Sequence, residues 1–305
     1  MQRVSIFVIL ASLNLPVSAA VSIDWVTIGN AGNAADPLTG YGAVTSEYRI
    51  GKYEVTNAQY AEFLNAKAAT DSYSLYNPNM GSYGITRSGS SGSYTYSVTS
   101  GLANRPVVYV SWFDAARFAN WLANGQGSGS TETGTYTLNG AASGIVTANL
   151  GATVYLPDEN EWYKAAYYNG ANSTYSLYPN GQNTITAADA NYNWSIGSTT
   201  DVGSYSAAPS SYGTFDQAGN VWEITDTVMN GYGESRVVRG GSYLNGNGIG
   251  FGGSGDLLSL NRYENDPPYE ERSFLGFRLA SVPEPSSMLM MMIAGLGVIT
   301  KRKRP

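Results

Sequence analysis

The sequence contains no cysteine and no histidine. Without cysteine, no disulfide can form in any compartment. Without a thiolate or an imidazole, the chain lacks the usual neutral-pH nucleophiles and general bases, and the ligands preferred by zinc, haem and copper(I). Thiol- and imidazole-based catalysis is therefore excluded. Hard cations held by carboxylate and carbonyl oxygens remain as metal candidates.

Charged residues are also scarce, at 13% of the 305 residues, which is about half the usual share. Acidic residues (23) outnumber basic ones (17), giving a formal net charge of −6. Nucleic-acid binding needs clustered Lys and Arg, so no nucleic-acid partner is expected. The 24 tyrosines and 36 glycines are typical of extracellular binding and matrix proteins. The hydrophobic content, 43%, is enough for the core of one large domain.

Residues 1–20 have the three parts of a secretory signal peptide. Arg3 supplies the positive start, residues 4–15 are mostly apolar, and Ala19 and Ala20 suit signal peptidase. The alternative, a buried first helix, is supported by neither a polar face nor a helix cap. We therefore predict a signal peptide over residues 1–20 and secretion of the remaining chain.

Residues 282–305 combine a Pro283-Glu284-Pro285 motif, an apolar stretch at 286–300 and a basic cluster at 301–304. This tail resembles the PEP-CTERM sorting signal that exosortases read in Gram-negative bacteria. Fifteen residues of helix span about 22 Å, less than the ~30 Å bilayer core. The segment is therefore expected to contact the membrane briefly before cleavage, leaving the protein at the cell surface or in the extracellular matrix. A permanent anchor is the alternative.

Three capping boxes predict three helices, because each pairs a capping side chain with a reciprocal side chain three residues later. The pairs are Thr56 with Gln59, Ser111 with Asp114, and Asp158 with Glu161. The third helix is expected to end at Gly170. Short apolar runs predict strands at 107–110, 153–156 and 236–239, whereas residues 71–103 and 123–150 are expected to be irregular or hairpin insertions. These features favour an α+β domain over residues 21–281.

Six blocks then follow one another in a recognisable order. They read IGKYEVTN (50–57), NRPVVYVSW (104–112), LPDENEW (156–162), YGTFDQAGNVWE (212–223), RGGSY (239–243) and LGFRL (275–279). The ordered set resembles the formylglycine-generating enzyme, or sulfatase-modifying factor, family. The resemblance implies a single C-type-lectin-like α+β domain with much irregular loop structure. Within the blocks, Arg239, Arg278 and the tryptophans at 112, 162 and 222 are expected to be buried scaffold.

The chain departs from this family at the residues that perform the oxidation. In the oxidising enzymes, two cysteines after the RGGS block bind copper(I) and activate oxygen. Asn245 and Gly250 stand at those positions here. An amide and a glycine cannot replace soft sulfur donors, and related iron-dependent sulfoxide synthases need histidines. We therefore expect no copper and assign no catalytic residue.

The resemblance also implies one structural calcium site. Its ligands map onto the side chains of Asp216 and Glu223 and the backbone carbonyls of Gly219 and Val221, a donor set that suits a hard divalent cation. The alternative is that Asp216 caps a turn and Glu223 is a solvated strand residue.

The family's active groove corresponds to residues 243–268, where glycines, amides and tyrosines could bind sugars or peptides. The candidate ligand residues are Tyr243, Asn245, Asn247, Asp256 and Arg262. The alternative is a flexible surface loop.

These observations favour a secreted, surface-sorted protein that binds a polysaccharide or a surface protein without catalysis. The alternative is an enzyme of the same superfamily with non-thiol chemistry. Acidic pairs such as Asp256 with Glu264, or Glu270 with Glu271, would then perform acid–base steps.

Overall fold

The structure is a computed structural model that describes residues 20–244 and 254–283. Several predicted features lie outside these residues: the signal peptide before residue 20, Asn245, Asn247, Gly250, and the tail from Glu284 onward. These features stay predictions. Within the described residues, no helix is long and apolar enough to cross a membrane.

The described part of the chain forms three α-helices and many short strands. The helices are α1 (Asn57–Lys67), α2 (Trp112–Ala123) and α3 (Glu159–Tyr167), and short 3-10 helices cover Pro78–Ser82 and Ser254–Leu257. The strands are β1 (Trp25–Ile28), β2 (Tyr48–Gly51), β3 (Ile85–Ser88), β4 (Thr95–Val98), β5 (Val154–Tyr155), β6 (Tyr168–Asn169), β7 (Thr174–Tyr175), β8 (Trp222–Val228), β9 (Arg236–Arg239), β10 (Tyr263–Asp266), β11 (Leu275–Gly276) and β12 (Ala280–Ser281).

All three helices begin at the predicted capping boxes. The side chains of Thr56, Ser111 and Asp158 each accept the backbone N–H three residues on, which satisfies a donor that the first helical turn leaves free. Helix α3 ends at Tyr167 rather than near Gly170. The reason is that Tyr168 is already extended and pairs with Tyr175 in the β6–β7 hairpin.

Two four-stranded sheets organise the chain, with strand orders β1-β2-β12-β5 and β10-β9-β8-β11. The strand predicted at 236–239 is β9, and β5 lies within the predicted 153–156 run. The strand predicted at 107–110 is absent. There the Val107 N–H donates to the Val55 carbonyl, and Tyr109 has a positive φ of 59°, so the chain bends instead of pairing.

The two long insertions differ in regularity. Residues 71–103 contain the antiparallel β3–β4 hairpin. Residues 124–150, all of them described, form neither helix nor strand. Few helices, mixed sheets and long loops confirm the predicted α+β class, while its C-type-lectin-like character stays a prediction.

Aromatic packing joins α1 to α2, and α2 to the segment between β11 and β12. The Phe118 ring of α2 contacts Phe63 of α1 edge-on, with 5.4 Å between ring centroids. Phe118 also contacts Phe277, at 5.6 Å, in the segment between β11 and β12. Trp112, Trp162 and Trp222 are buried as predicted, with 5% exposure or less.

Arg278 connects the two sheets. Its guanidinium is fully buried between β11 and β12 and forms a two-pronged ion pair with Glu223 of β8. It also donates to the carbonyls of Gly51 in β2 and Phe215, both at 2.9 Å. The prediction that Arg278 is buried scaffold is therefore confirmed.

A close backbone contact near β8 tests this fold. Gly219 has a φ of +75°, and a Cβ there would overlap the Asn191 carbonyl oxygen. Gly213 has a φ of +90° with open space around it, so it is a matched control. We expect Gly213→Ala to cost the ~1–2 kcal/mol of a left-handed residue. Gly219→Ala should cost clearly more, as measured by urea unfolding. Equal losses of stability would contradict the contact.

Candidate functional site

A glycine turn after β9 positions the candidate site. Gly240 (φ 99°) and Gly241 (φ 73°) reverse the chain directly after Arg239. A methyl group at Gly240 would lie 3.2 Å from the Trp162 ring, so glycine suits this turn for both conformation and space. The turn brings Tyr243 to the β8 region, where its N–H donates to the Asn220 carbonyl at 2.9 Å.

Tyr243 belongs to a cluster that we call the aromatic face, composed of Tyr83, Tyr109, Trp194 and Tyr243. The Trp194 ring contacts the Tyr243 ring edge-on, with centroids 6.0 Å apart. The backbone N–H of Trp194 donates to the Tyr243 carbonyl at 2.9 Å. The Tyr83 and Tyr109 rings lie 5.4 Å apart. The side chains of Tyr83 and Ser273 lie near the Tyr243 hydroxyl.

The two central rings of the aromatic face have different roles. Trp194 is 58% exposed, whereas Tyr243 is only 3% exposed. Tyr243 therefore supports the face rather than presenting its own ring, which differs from its predicted role as a direct ligand contact. Burial, followed by the hydrogen bond with Tyr83, raises the pKa of Tyr243.

The backbone of the aromatic face is strained. Asn193, Trp194 and Tyr109 have φ values of 56°, 55° and 59°, a left-handed conformation that large side chains rarely adopt. Among the described non-glycine residues with positive φ, Tyr109 and Trp194 are the only aromatic ones. Strain of this kind concentrates at functional sites. Trp194 is not among the residues predicted from the sequence, although an isolated tryptophan in the mostly polar stretch 193–200 was an available signal.

Arg262 and Asp256 are also predicted as ligand residues. The structure places each of them among contacts outside the aromatic face. The Arg262 guanidinium pairs with Glu159 at 2.9 Å and lies 5.2 Å from the Tyr41 ring centre. The same Glu159 pairs with the fully buried Arg239. Asp256 lies in the short 3-10 helix beneath the glycine turn, with its carbonyl close to Gly241. Arg262 is thus part of the ion-pair network that holds β9 to α3.

The two predicted side-chain ligands of calcium, Asp216 and Glu223, are not equally available to a cation. Glu223 is fully buried, and both of its oxygens are taken, by Arg278 and by the Trp162 indole at 2.8 Å. Asp216 accepts the Gly203 N–H at 2.6 Å through Oδ2. Its Oδ1 is buried and has no hydrogen-bond partner. An uncompensated buried oxygen of this kind suits a hard cation, so Asp216 fits the predicted ion and Glu223 does not.

The surroundings of Asp216 are acidic. Glu54 is buried near Asp216 and Glu223. Its Oε2, like Oδ1 of Asp216, has no hydrogen-bond partner. Burial raises the pKa of Asp216 to about 6, and burial together with the Asp216 charge raises the pKa of Glu54. Even so, no group of three or more acidic side chains within residues 20–244 and 254–283 is arranged to hold a metal ion.

Of the acidic residues considered for acid–base chemistry, Glu270 and Glu271 each have another bonding partner. Glu270 bonds to Arg272 at 3.3 Å, whereas Glu271 accepts the Asn77 amide at 2.6 Å. The side chain of Glu264, the suggested partner of Asp256, lies outside the described residues.

Comparison with known families identifies both parts of the chain. Residues 27–282 match the model of the sulfatase-modifying factor enzyme 1-like domain. Residues 281–304 match the PEP-CTERM protein-sorting motif. Such a motif implies recognition by an exosortase-type sorting system.

Individual relatives are distant. Hercynine oxygenase from Mycolicibacterium thermoresistibile is 24% identical over 276 residues, covering 76% of this chain and 50% of that protein. Formylglycine-generating enzyme from Streptomyces coelicolor is 29% identical over 174 residues, covering 47% of this chain and 44% of the enzyme. The chain thus spans about half the length of the curated relatives it matches.

Among solved structures, CarF superimposes with a TM-score of 0.57 at 24% identity, over 86% of this chain and 99% of CarF. This likeness concerns the fold alone. The family match covers most of the sequence and includes both sheets. The chain therefore belongs to the sulfatase-modifying factor enzyme 1-like domain family and ends in a PEP-CTERM sorting motif.

Proposed function

We propose that this protein is an exported, surface-sorted binding protein that does not catalyse oxidation and that binds a polysaccharide at the aromatic face. The sorting motif supports export to the surface, as does the predicted signal peptide. The absence of cysteine and histidine removes the thiolate and imidazole ligands on which copper and iron oxidation chemistry would depend.

The binding role is inferred from the position of the Trp194 ring. Its ring is exposed, rests on the buried Tyr243, and is held by a strained backbone that the surrounding hydrogen bonds maintain. A pre-positioned aromatic ring loses little conformational entropy on binding. Such rings stack on the apolar faces of sugars, while nearby tyrosine hydroxyls bond to sugar hydroxyls.

Replacement of Trp194 tests this role. Trp194→Ala should weaken binding to the extracellular polysaccharide of the native host at least tenfold, about 1.4 kcal/mol, in isothermal titration calorimetry. Tyr232→Ala removes an equally exposed aromatic ring (49% exposed) outside the aromatic face and should bind normally. If the wild type does not bind, or if both variants bind like the wild type, the aromatic face is not the site.

The acidic surroundings of Asp216 support a structural calcium ion. In this proposal, Asp216 Oδ1 and the carbonyls of Gly219 and Val221 hold the ion, while Glu223 stays with Arg278. The ion would fix the turn before β8, on which the Asn220 contact with Tyr243 depends. Its role is structural and involves no chemical step.

Calcium should therefore raise the thermal midpoint of unfolding. At 100 times its dissociation constant, the ion adds about 2.7 kcal/mol to the free energy of unfolding. Asp216→Asn keeps the shape and tolerates the left-handed backbone at this position (φ 61°), yet it should abolish the increase. The exposed Asp201, changed to Asn, is the control. An unchanged midpoint of the wild-type protein after chelation would contradict the site.

We also predict that an exosortase cleaves the sorting tail near Pro285. Proline fixes φ and lacks the N–H donor of a helix, and Glu284 is biased toward extended backbone by Pro285. The 283–285 motif should thus stay extended and accessible to a protease. Host cells with an intact exosortase should release a product that ends near Pro285, and exosortase deletion should leave full-length, membrane-associated protein. If mass spectrometry finds that the mature protein still ends in Arg304-Pro305, exosortase sorting is contradicted and a permanent membrane anchor is favoured.

A further inference from the structure

Two neighbouring cavities, of about 430 and 240 Å³, lie beside the β3–β4 hairpin and share the residues Ser74 and Glu271. We call them together the tyrosine cleft. Residues 70–78 form one wall, and the start of α2 with Tyr269 forms the other. None of the ligand residues predicted from the sequence lines the cleft, and none of its lining residues belongs to the aromatic face.

The 70–78 wall is fixed in place by local bonds. Asp71 (φ 57°) and Ser74 (φ 55°) bend the loop. The Asp71 carboxylate accepts the Leu75 N–H at 2.8 Å and pairs with Arg87 of β3 at 3.1 Å. The loop is therefore tied to the hairpin, and the cleft is formed before a ligand arrives.

Tyrosine rings occur along both cavities. In the larger one, the Arg87 guanidinium lies between Tyr76 and Tyr94, at 4.8 and 4.3 Å from their ring centres. At the smaller one, Tyr73 and Tyr269 are 41% and 53% exposed. Exposed rings at the rim of a cavity are well placed to stack on a ligand.

The carboxyl group of Glu271 lies where the two cavities meet, and a hydrogen bond fixes its orientation. Glu271 lines both, and its Oε2 accepts the Asn77 amide at 2.6 Å. Asn77 is itself fixed, because its Oδ1 accepts the Asn79 N–H at the start of the Pro78–Ser82 helix. Burial, followed by the charge of Asp114, raises the pKa of Glu271 to about 7.

The charges of the cleft argue against an anionic ligand. Arg87 is paired with Asp71, and Arg117 is paired with Glu132 at 2.8 Å. Both guanidinium groups are thus neutralised by neighbours, so the cleft has little spare positive charge for a phosphate or a carboxylate. Among the described residues, no cluster of three or more acidic side chains is arranged to hold a metal ion, and this includes the residues of the cleft. Tyrosine rings beside a carboxyl and an amide suit a ligand with apolar faces and many hydroxyls.

We propose that the tyrosine cleft is a second binding site, which takes a short run of neutral sugar units from a polysaccharide. Tyr73 and Tyr269 stack on the sugar rings, and Glu271 exchanges hydrogen bonds with sugar hydroxyls. The cavity volumes are of the order of small-molecule sites, ~300–1,000 Å³. Ser273, which lies near the Tyr243 hydroxyl, is two residues from Glu271. One polymer chain can therefore engage both sites, and the effective local concentration strengthens its binding.

A panel of neutral and acidic oligosaccharides, six to eight units long, tests the proposal on the full folded domain. At least one neutral member should bind the wild-type protein in a glycan array and in calorimetry. Tyr73→Ala and Tyr269→Ala should each weaken that binding at least tenfold, and Glu271→Gln should weaken it too. Both tyrosines are exposed, so an unchanged thermal midpoint will confirm that these variants fold.

Tyr232→Ala is the control, because Tyr232 lies outside both sites, and it should leave the binding of the short neutral oligosaccharide unchanged. Trp194→Ala reports on the aromatic face, so it should weaken the binding of this short ligand less than Tyr73→Ala or Tyr269→Ala does. The cleft proposal is overturned if every neutral member fails to bind, or if only acidic members bind. It is also overturned if binding survives both Tyr73→Ala and Tyr269→Ala but is lost in Trp194→Ala.

Discussion

The buried ion pair between Arg278 and Glu223 is the interaction on which the rest of the domain depends. Arg278 follows β11 and precedes β12, so it lies where the chain leaves one sheet and enters the other. It reaches β8 through Glu223 and β2 through the Gly51 carbonyl. Removing one partner of such a pair would leave a buried charge without compensation, a cost of about 3–5 kcal/mol.

The same ion pair determines what the neighbouring carboxylates can do. Because Glu223 is shared by Arg278 and the Trp162 indole, it fastens α3 to β8 and is no longer free for a cation. Asp216 and Glu54 then remain as buried acids with one unbonded oxygen each. The calcium proposal rests on Asp216, the one predicted side-chain ligand that still has an oxygen to offer.

Both proposed binding regions are loops supported by this rigid frame, an arrangement common among binding proteins. The aromatic face is reached through the glycine turn after β9, and the tyrosine cleft is tied to the β3–β4 hairpin. Residues 268–274 contribute Tyr269 and Glu271 to the cleft, and they place Ser273 near the Tyr243 hydroxyl. A scaffold without cysteine and histidine thus offers, in the proposed function, two places where aromatic rings meet polar groups.

The sequence by itself determined the features that depend on neighbouring residues. The three helix starts could be predicted because a capping box joins residues only three apart. The β9 strand and the family blocks are likewise short stretches of sequence. The absence of thiol and imidazole chemistry follows from composition alone. Only the tertiary structure decided that Glu223 pairs with Arg278, 55 positions away, that Tyr243 is buried under Trp194, and that Tyr73 and Tyr269 share a cleft. The failed strand at 107–110 has the same origin, since its backbone bonds go to distant Val55 and Arg272. Contacts between residues so far apart in sequence are fixed by packing and burial, which no local pattern encodes.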